Sequence, residues 1–323
     1  MVGHLVLCLL FWPAPESPVA RATALLEAGR LQEARQALAG ADAAAPEVAY
    51  LQGVIAYRLN DYASAAKALQ QALTAIPEKN PRYPDTVRMI GQSEYLSGRV
   101  AAAIPWLEKA RAAGVRGNEL AYMLGNGYLQ THQTDKARAA FANLFGVPPD
   151  SVAARLFTAQ MLMHLELEDE AQRELEAAVA HDPKLPEAHY MLGEIAIYRA
   201  QIDRAVDELK REIALNPDFS MAYYRLGDAY TRREDWAHAI PPLERAIWLN
   251  PTYSGPYILL GKAYFKTEKL SDAEHMLRRA LQMDPKNASA HYLLGRTLIQ
   301  AGHADEGKEL LRQWEKLRHE SGQ

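Results

Sequence analysis

The clearest hydrophobic pattern in the chain begins at Ser220. Tyr223, Leu226, Gly227 and Tyr230 fall at i, i+3, i+4 and i+7, which places them on one face of an α-helix. The polar stretch from Arg232 to Asp235 interrupts the pattern. Ala239, Leu243, Ala246 and Ile247 then make a second helical face. Asn250-Pro251 ends it, because the residue before a proline is pushed out of the α region. The same two-helix pattern recurs between Pro186 and Gln313. Gly193, Gly227, Gly261 and Gly295 keep one constant interval, since 227 − 193, 261 − 227 and 295 − 261 all equal 34, and a leucine precedes each of them. Ala205, Ala239 and Ala273 keep step, as do Leu209, Leu243, Leu277 and Leu311, and Pro217, Pro251 and Pro285. Self-similarity at a fixed period of this length predicts a stacked-repeat solenoid. Gly227, Ala239 and Ala246 share one physical task, since helices approach to about 8–10 Å only where facing side chains are small.

The pattern extends toward the N-terminus in weaker form. A proline-rich lead-in occupies residues 13–18, and Ser17-Pro18 is a helix start, with serine at the cap and proline at the first helical position. A short degenerate unit follows over 18–45, with Ala34 and Leu38 in repeat columns. Further units are expected to start near 46, 84, 118, 152, 186, 220, 254 and 288, forming a single solenoid over 18–319. Four residues are inserted around Lys79–Tyr83. Three departures predict irregular units: Val115 replaces the closing proline, Ala159 replaces the glycine, and Gly307 takes the place of the second-helix alanine. The last helix, from about Asp305 to Arg318, reads as a solvating cap with Leu310, Leu311, Trp314 and Leu317 inward.

A Leu-Gly pair, a tyrosine three residues on, then Ala, Leu or Phe, Ala and Pro within one such interval resembles the tetratricopeptide repeat. The resemblance covers roughly 18–319. It implies an all-α fold, a right-handed α-α superhelix of stacked helix-turn-helix units with an inner groove. It also implies a non-enzymatic scaffold that binds a protein or peptide in that groove.

In the family's geometry, the residue after each glycine faces the groove, since one step along a helix turns a side chain by about 100°. That column contains Val54, Gln92, Asn126, Gln160, Glu194, Asp228, Lys262 and Arg296. Four residues earlier the column contains Tyr50, Arg88, Tyr122, Leu156, Tyr190, Tyr224, Ile258 and Tyr292. Further along the first helices come Tyr57, Tyr95, Tyr198 and Arg232. The expected groove comprises Tyr50, Arg88, Tyr122, Asn126, Tyr190, Glu194, Tyr224, Asp228, Lys262, Tyr292 and Arg296. Tyrosine, with an apolar body and a polar tip, suits a wet interface. The polar column passes from neutral through acidic to basic, which would orient a bound peptide by charge. A tyrosine in such a row can instead pack between neighbouring helices, and the charges can pair with one another. Some tetratricopeptide proteins clamp a chaperone's C-terminal carboxylate. Arg88 and Gln92 could imitate the first clamp pair, but Met123 and Phe157 stand where Asn and Arg are wanted. An alternative reading is an accessory module of an envelope-assembly or secretion complex, meeting its partner through the convex face or the 77–83 insertion.

Composition narrows the remaining classes. Lys+Arg 36 against Asp+Glu 40 are interleaved, so no basic stripe awaits a nucleic acid. HExxH, Walker and GxSxG motifs are absent, and the histidines are scattered, so no catalytic, metal or cofactor site is expected. His189 and His291 share a column with Tyr223 and Tyr257, which indicates packing. Asn287-Ala288-Ser289 matches a glycosylation triplet. The apolar run over residues 1–12 is too short to span a bilayer and is open to reading as a truncated export signal or an apolar cap. Localisation is exported or periplasmic in the first case and cytoplasmic otherwise. Cys8, the one cysteine, allows no internal disulfide. A monomer or weak oligomer is expected.

Overall fold

A computed structural model describes residues 17–320 of the chain. The expectations for the apolar N-terminal run and for Cys8 lie outside those residues. Every regular element described is an α-helix, and no strand occurs among the described residues. The chain forms two compact units, one ending at Met161 and one starting at Leu162.

The first unit holds α1 (Pro18–Glu27), α2 (Leu31–Ala37), α3 (Pro46–Arg58), α4 (Tyr62–Leu73), α5 (Tyr83–Leu96), α6 (Val100–Ala112), α7 (Asn118–Gln130) and α8 (Thr134–Phe145). The boundary between units falls within α9 (Val152–His164). The second unit continues with α10 (Glu168–His181), α11 (Ala188–Tyr198), α12 (Ile202–Leu215), α13 (Ser220–Arg232), α14 (Trp236–Leu249), α15 (Ser254–Lys266), α16 (Leu270–Met283), α17 (Ala288–Gln300) and α18 (Ala304–Glu320). Within each unit an odd-numbered helix packs on the next even-numbered one as a hairpin, and hairpins stack on their neighbours. First helices of successive hairpins also touch: α1 with α3, α3 with α5, α11 with α13, α13 with α15, and α15 with α17. Second helices make no comparable contact among the described residues, so within each unit the stack closes up on the first-helix side.

One contact explains the hairpin. A methyl group built on Gly227 would sit 2.4 Å from Leu243 Cγ, one residue short of half a period further on. The same offset joins Gly53 to Leu69 at 2.5 Å, Gly193 to Leu209 at 2.7 Å and Gly261 to Leu277 at 2.6 Å. In α7 and α8 the partner of Gly125 is Phe141, 2.3 Å away. The leucine or phenylalanine fills the space that a first-helix side chain would have occupied, and each is fully buried. Where alanine stands in the glycine column, as at Ala22 and Ala159, it too is fully buried. Gly307, at the position held elsewhere by the second-helix alanine, lies directly against Gly295. Added methyl groups on Gly295 and Gly307 would meet each other's carbonyl oxygens at 2.9 and 2.7 Å, so α17 and α18 meet backbone to backbone.

The turn between the two helices is equally regular. At one fixed offset after the glycines a residue adopts positive φ: Asn60, Gly98, His132, Ala200, Glu234, Glu268 and Gly302. The following amide donates back to the helix, for example Asp235 N to the Tyr230 carbonyl at 2.9 Å and Gln201 N to the Ala196 carbonyl at 2.8 Å. This left-handed closure satisfies helix-end carbonyls that would otherwise lack a donor. Val115, in place of a proline, is accommodated by Gly114 at φ 92 and by its own amide bonding to the Ala110 carbonyl.

Two stability outcomes follow. Gly227→Ala forces a methyl into Leu243, at about 1–3 kcal/mol, offset by about 1 kcal/mol of helix propensity. The close approach to a buried leucine favours the upper part of that range, so denaturant titrations should show a net loss of about 1–2 kcal/mol. In the double variant with Leu243→Ala, a favourable coupling of at least about 1 kcal/mol is expected; strict additivity would contradict the seam. Ala200→Gly relieves a left-handed alanine, φ 55, and should stabilise by about 0.5–1 kcal/mol. A measured loss of stability would contradict it.

Candidate functional site

The residues beside the glycine seam sit on the first helices. In the first unit they form cross-repeat hydrogen bonds. Tyr57 of α3 donates its hydroxyl to Gln92 Oε1 of α5 at 2.8 Å, and Arg88 Nη1 donates to the same oxygen at 2.7 Å. Gln92 is consequently only 3% exposed. Arg88 also pairs with Asp85 at 3.1 Å. One hairpin further on, Asn126 Nδ2 of α7 donates to the Tyr95 hydroxyl of α5 at 2.6 Å. These side chains tie neighbouring first helices together.

The tyrosine row behaves similarly. Tyr190 meets Phe219 edge-on at 5.0 Å, and Tyr224 meets Tyr253 at 5.2 Å. Phe219 and Tyr253 are the capping residues at the start of the next first helix, so each tyrosine braces the hairpin that follows. Tyr50 does this with a cation: the Arg82 guanidinium lies 4.8 Å from its ring, and Arg82 also pairs with Glu47 at 2.9 Å. The insertion near Lys79–Tyr83 supplies that arginine. At the sequence offset that joins Tyr190 to Phe219, Tyr122 is matched by the small Ser151 rather than an aromatic, and Tyr122 is 41% exposed. Tyr292 packs at 5.0 Å on Trp314 of α18 and accepts from Arg296 Nη1 at 2.9 Å.

In the second unit the acidic members of the polar column are already neutralised. Arg225 Nη2 of α13 reaches Glu194 Oε1 of α11 at 2.8 Å, and Arg232 Nε reaches Asp228 Oδ1 at 3.1 Å. Glu194, Ile197, Tyr198, Arg225 and Arg232 line an open recess of about 260 Å³ between α11 and α13. Tyr198, at its edge, is 74% exposed. Burial raises the Tyr190 phenol well above the ordinary tyrosine range, and the Glu194 carboxylate raises it further. Burial, aided by the Tyr253 hydroxyl, pushes Tyr224 up to about 12.

Family models described as Tetratricopeptide repeat match residues 19–81, 50–115, 122–186, 190–254 and 268–321. The chain belongs to the tetratricopeptide repeat family. No curated protein matches the sequence. Among solved structures, PilF of Pseudomonas aeruginosa is 20% identical and aligns over 62% of this chain and 91% of its own, with a TM-score of 0.51. YrrB, described as a TPR protein with an unusual peptide-binding site, is 18% identical over 57% of this chain and 93% of its own, with a TM-score of 0.50. MamA from Desulfovibrio magneticus RS-1 is 24% identical over 52% and 96%, with a TM-score of 0.49. At these identities the first two likenesses show the fold, a tetratricopeptide solenoid.

The tetratricopeptide hairpins place the remaining candidates plainly. Arg88 is engaged by Asp85 and Gln92, Met123 is buried, and Phe157 packs on Phe141 and Phe145 at 5.0 and 4.8 Å. No carboxylate clamp is assembled from these residues. His189 and His291 are buried. His189 faces Glu208 at 2.7 Å and the Pro183 carbonyl at 3.3 Å. Asn287 caps α17 by accepting from the Ala290 amide at 3.0 Å. Among the described residues no cluster of three or more His, Cys, Asp or Glu is arranged to hold a metal ion, and no helix is long and apolar enough to cross a membrane. Pattern reading missed the cross-repeat pairs and placed Tyr198 on a first helix without singling it out. The Arg225–Glu194 pair was visible as opposite charges three positions short of one period.

The raised phenols fix a pH dependence. Their folded-state values lie above the unfolded value of about 10, so the fold favours neutral phenol. The associated stability is complete below about pH 10 and is lost as pH rises toward and through the folded values. Native protein should show a late-titrating fraction in phenolate absorbance. Tyr224→Phe should reduce that fraction and flatten the alkaline fall in stability; an unchanged alkaline profile would contradict the packing described.

Proposed function

We propose that this protein is a non-catalytic scaffold whose first-helix surface binds a protein segment. The observation that carries the reading is the distribution of exposed aromatic and aliphatic groups. Leu96 and Tyr122 in the first unit, and Tyr198 and Ile299 in the second, are exposed on α5, α7, α11 and α17, all first helices. The large exposed rings of the second helices are partly covered: Phe145 packs on Phe157 at 4.8 Å, and the Arg245 guanidinium lies 4.2 Å from Trp248. Leu215 of α12 is exposed as well; what sets the first helices apart is the almost uncovered Tyr198, and large apolar groups held in water mark an interaction surface. Tyrosine is also among the side chains that dominate binding energy at interfaces. YrrB, on the same fold, is described as having a peptide-binding site, which supports the class of ligand.

The tyrosines then divide by task. Tyr190 and Tyr224 brace successive hairpins and hold the surface in shape, while Tyr122 and Tyr198 offer their rings to a ligand. Asn126 in the first unit, and Glu194 and Asp228 in the second, set the polar frame around them. A second reading, docking on another surface, is favoured by an open recess of about 470 Å³ among α2, α3 and α4, lined by Arg35, Leu38, Gln52, Ile55, Ser64 and Lys67.

Affinity capture with the full chain distinguishes the two. Tyr122→Ala combined with Tyr198→Ala changes exposed groups only, and helicity should be retained. The bound partner should fall by about tenfold or more, as expected for loss of interface tyrosines at about 1–2 kcal/mol each. Full retention of every partner by the folded double variant would remove the first-helix reading. Loss instead on Lys67→Glu would favour the α2–α4 recess.

A further inference from the structure

We infer that the tip of the second unit, over α13 to α17, is a docking site for an acidic, carboxylate-rich segment of a protein partner. The inference rests on the first-helix reading above and assigns the chemistry of what binds there. Along the polar column the sequence passes from acidic to basic, but the structure cancels the acidic half. Glu194 is held by Arg225 and Asp228 by Arg232. The next three cations, Lys262, Lys266 and Arg296, have no carboxylate within ion-pair distance among the described residues. They converge instead on aromatic faces. Lys262 Nζ lies 5.6 Å and Lys266 Nζ 5.8 Å from the centre of the same Trp236 ring. The Arg296 guanidinium lies 5.7 Å from Phe265 and 5.8 Å from Tyr292.

Two ammonium groups over one indole repel each other, and a ring face attracts each cation far less than an anion would. A carboxylate entering between them relieves the repulsion and gains charge-assisted hydrogen bonds. Trp236 and Phe265 supply apolar walls that lower the local dielectric and strengthen those bonds. The face is therefore preorganised for anions, in a chain whose formal net charge is −4. General attraction of a polyanion is thus disfavoured, and capture must be local. A nucleic acid fits less well. Three cations give few phosphate contacts, where duplex binders make about 6–10.

The test uses the full chain and a fluorescein-labelled decapeptide of alternating aspartate and glutamate. A serine-glutamine decapeptide and a single-stranded decanucleotide serve as comparison probes. The acidic peptide should bind, the neutral one should not, and the oligonucleotide should bind more weakly. Lys262→Glu, Lys266→Glu and Arg296→Glu together should weaken the acidic peptide by at least about tenfold. The equal reversal Arg21→Glu, Lys109→Glu and Lys136→Glu, at exposed first-unit cations, should leave it within about twofold. Equal loss in both triple variants, or none in the first, overturns the inference, as does tighter binding of the oligonucleotide. Lys266 is exposed, so Lys266→Glu alone keeps the test decisive if the triple variant loses helicity: about threefold loss is expected, and no loss contradicts it. Failure here with partner capture still sensitive to Tyr122 and Tyr198 removes only the acidic assignment. Insensitivity of capture to those tyrosines removes the first-helix reading itself.

Discussion

The architecture depends on one contact: a first-helix position without a side chain, filled by a leucine or phenylalanine from the second helix of the same hairpin. At Gly53, Gly125, Gly193, Gly227 and Gly261 no methyl group would fit, because the second-helix side chain already lies within 2.3–2.7 Å of where it would be. That fixes how close the two helices lie and how they are rotated. The rotation decides everything outward of the seam. Once the glycine faces the partner helix, the residues one after and three before it turn toward the neighbouring first helix. A hairpin of this size has too little core of its own, and burial is completed by the hairpins on either side.

The outward residues differ in how far they are engaged by their neighbours. Most of them join hairpins: Tyr57 with Gln92, Tyr95 with Asn126, Tyr190 with Phe219, Tyr224 with Tyr253, Arg225 with Glu194. Such contacts are internal to a stack of first helices and hold the first-helix face of each unit in one shape. The cations of α15 and α17 also reach back across hairpins, Lys262 and Lys266 to Trp236 of α14 and Arg296 to Phe265 of α15, while Tyr122 and Tyr198 stay exposed. Within each unit, side chains already held by their neighbours would lose little conformational freedom on binding a partner, which is the advantage of a preformed surface.

Much of the fold was legible because the seam demands particular residues. Only glycine or alanine fits one side and only a large apolar group the other, so the period is written in residue types. The turns were not legible. Asn60, His132, Ala200, Glu234 and Glu268 all adopt the left-handed conformation, yet share no chemistry, because hairpin packing imposes the backbone angle. The late start of α11 at Ala188 was similarly hidden. There Glu212 replaces the usual alanine of the second helix and accepts the amides of Glu187 and Tyr190 at 3.0 and 3.2 Å, with Glu187 at φ 67. The columns of the candidate surface could be read from the period. Which members were already spent on neighbours could not. Partners nearly a full period apart can leave opposite charges at a fixed offset, as Glu194 and Arg225 do, but nothing that says which of them pair, and a tyrosine that braces looks the same in sequence as one left exposed.

The seam can be observed directly by nuclear magnetic resonance on protein labelled at glycine Cα and leucine methyls. Cross-relaxation peaks should connect Gly193 to Leu209, Gly227 to Leu243 and Gly261 to Leu277, with the glycine proton on the second-helix side giving the stronger peak of each pair. Absence of these peaks in folded protein, or peaks joining each glycine to a leucine of a different hairpin, would contradict the account.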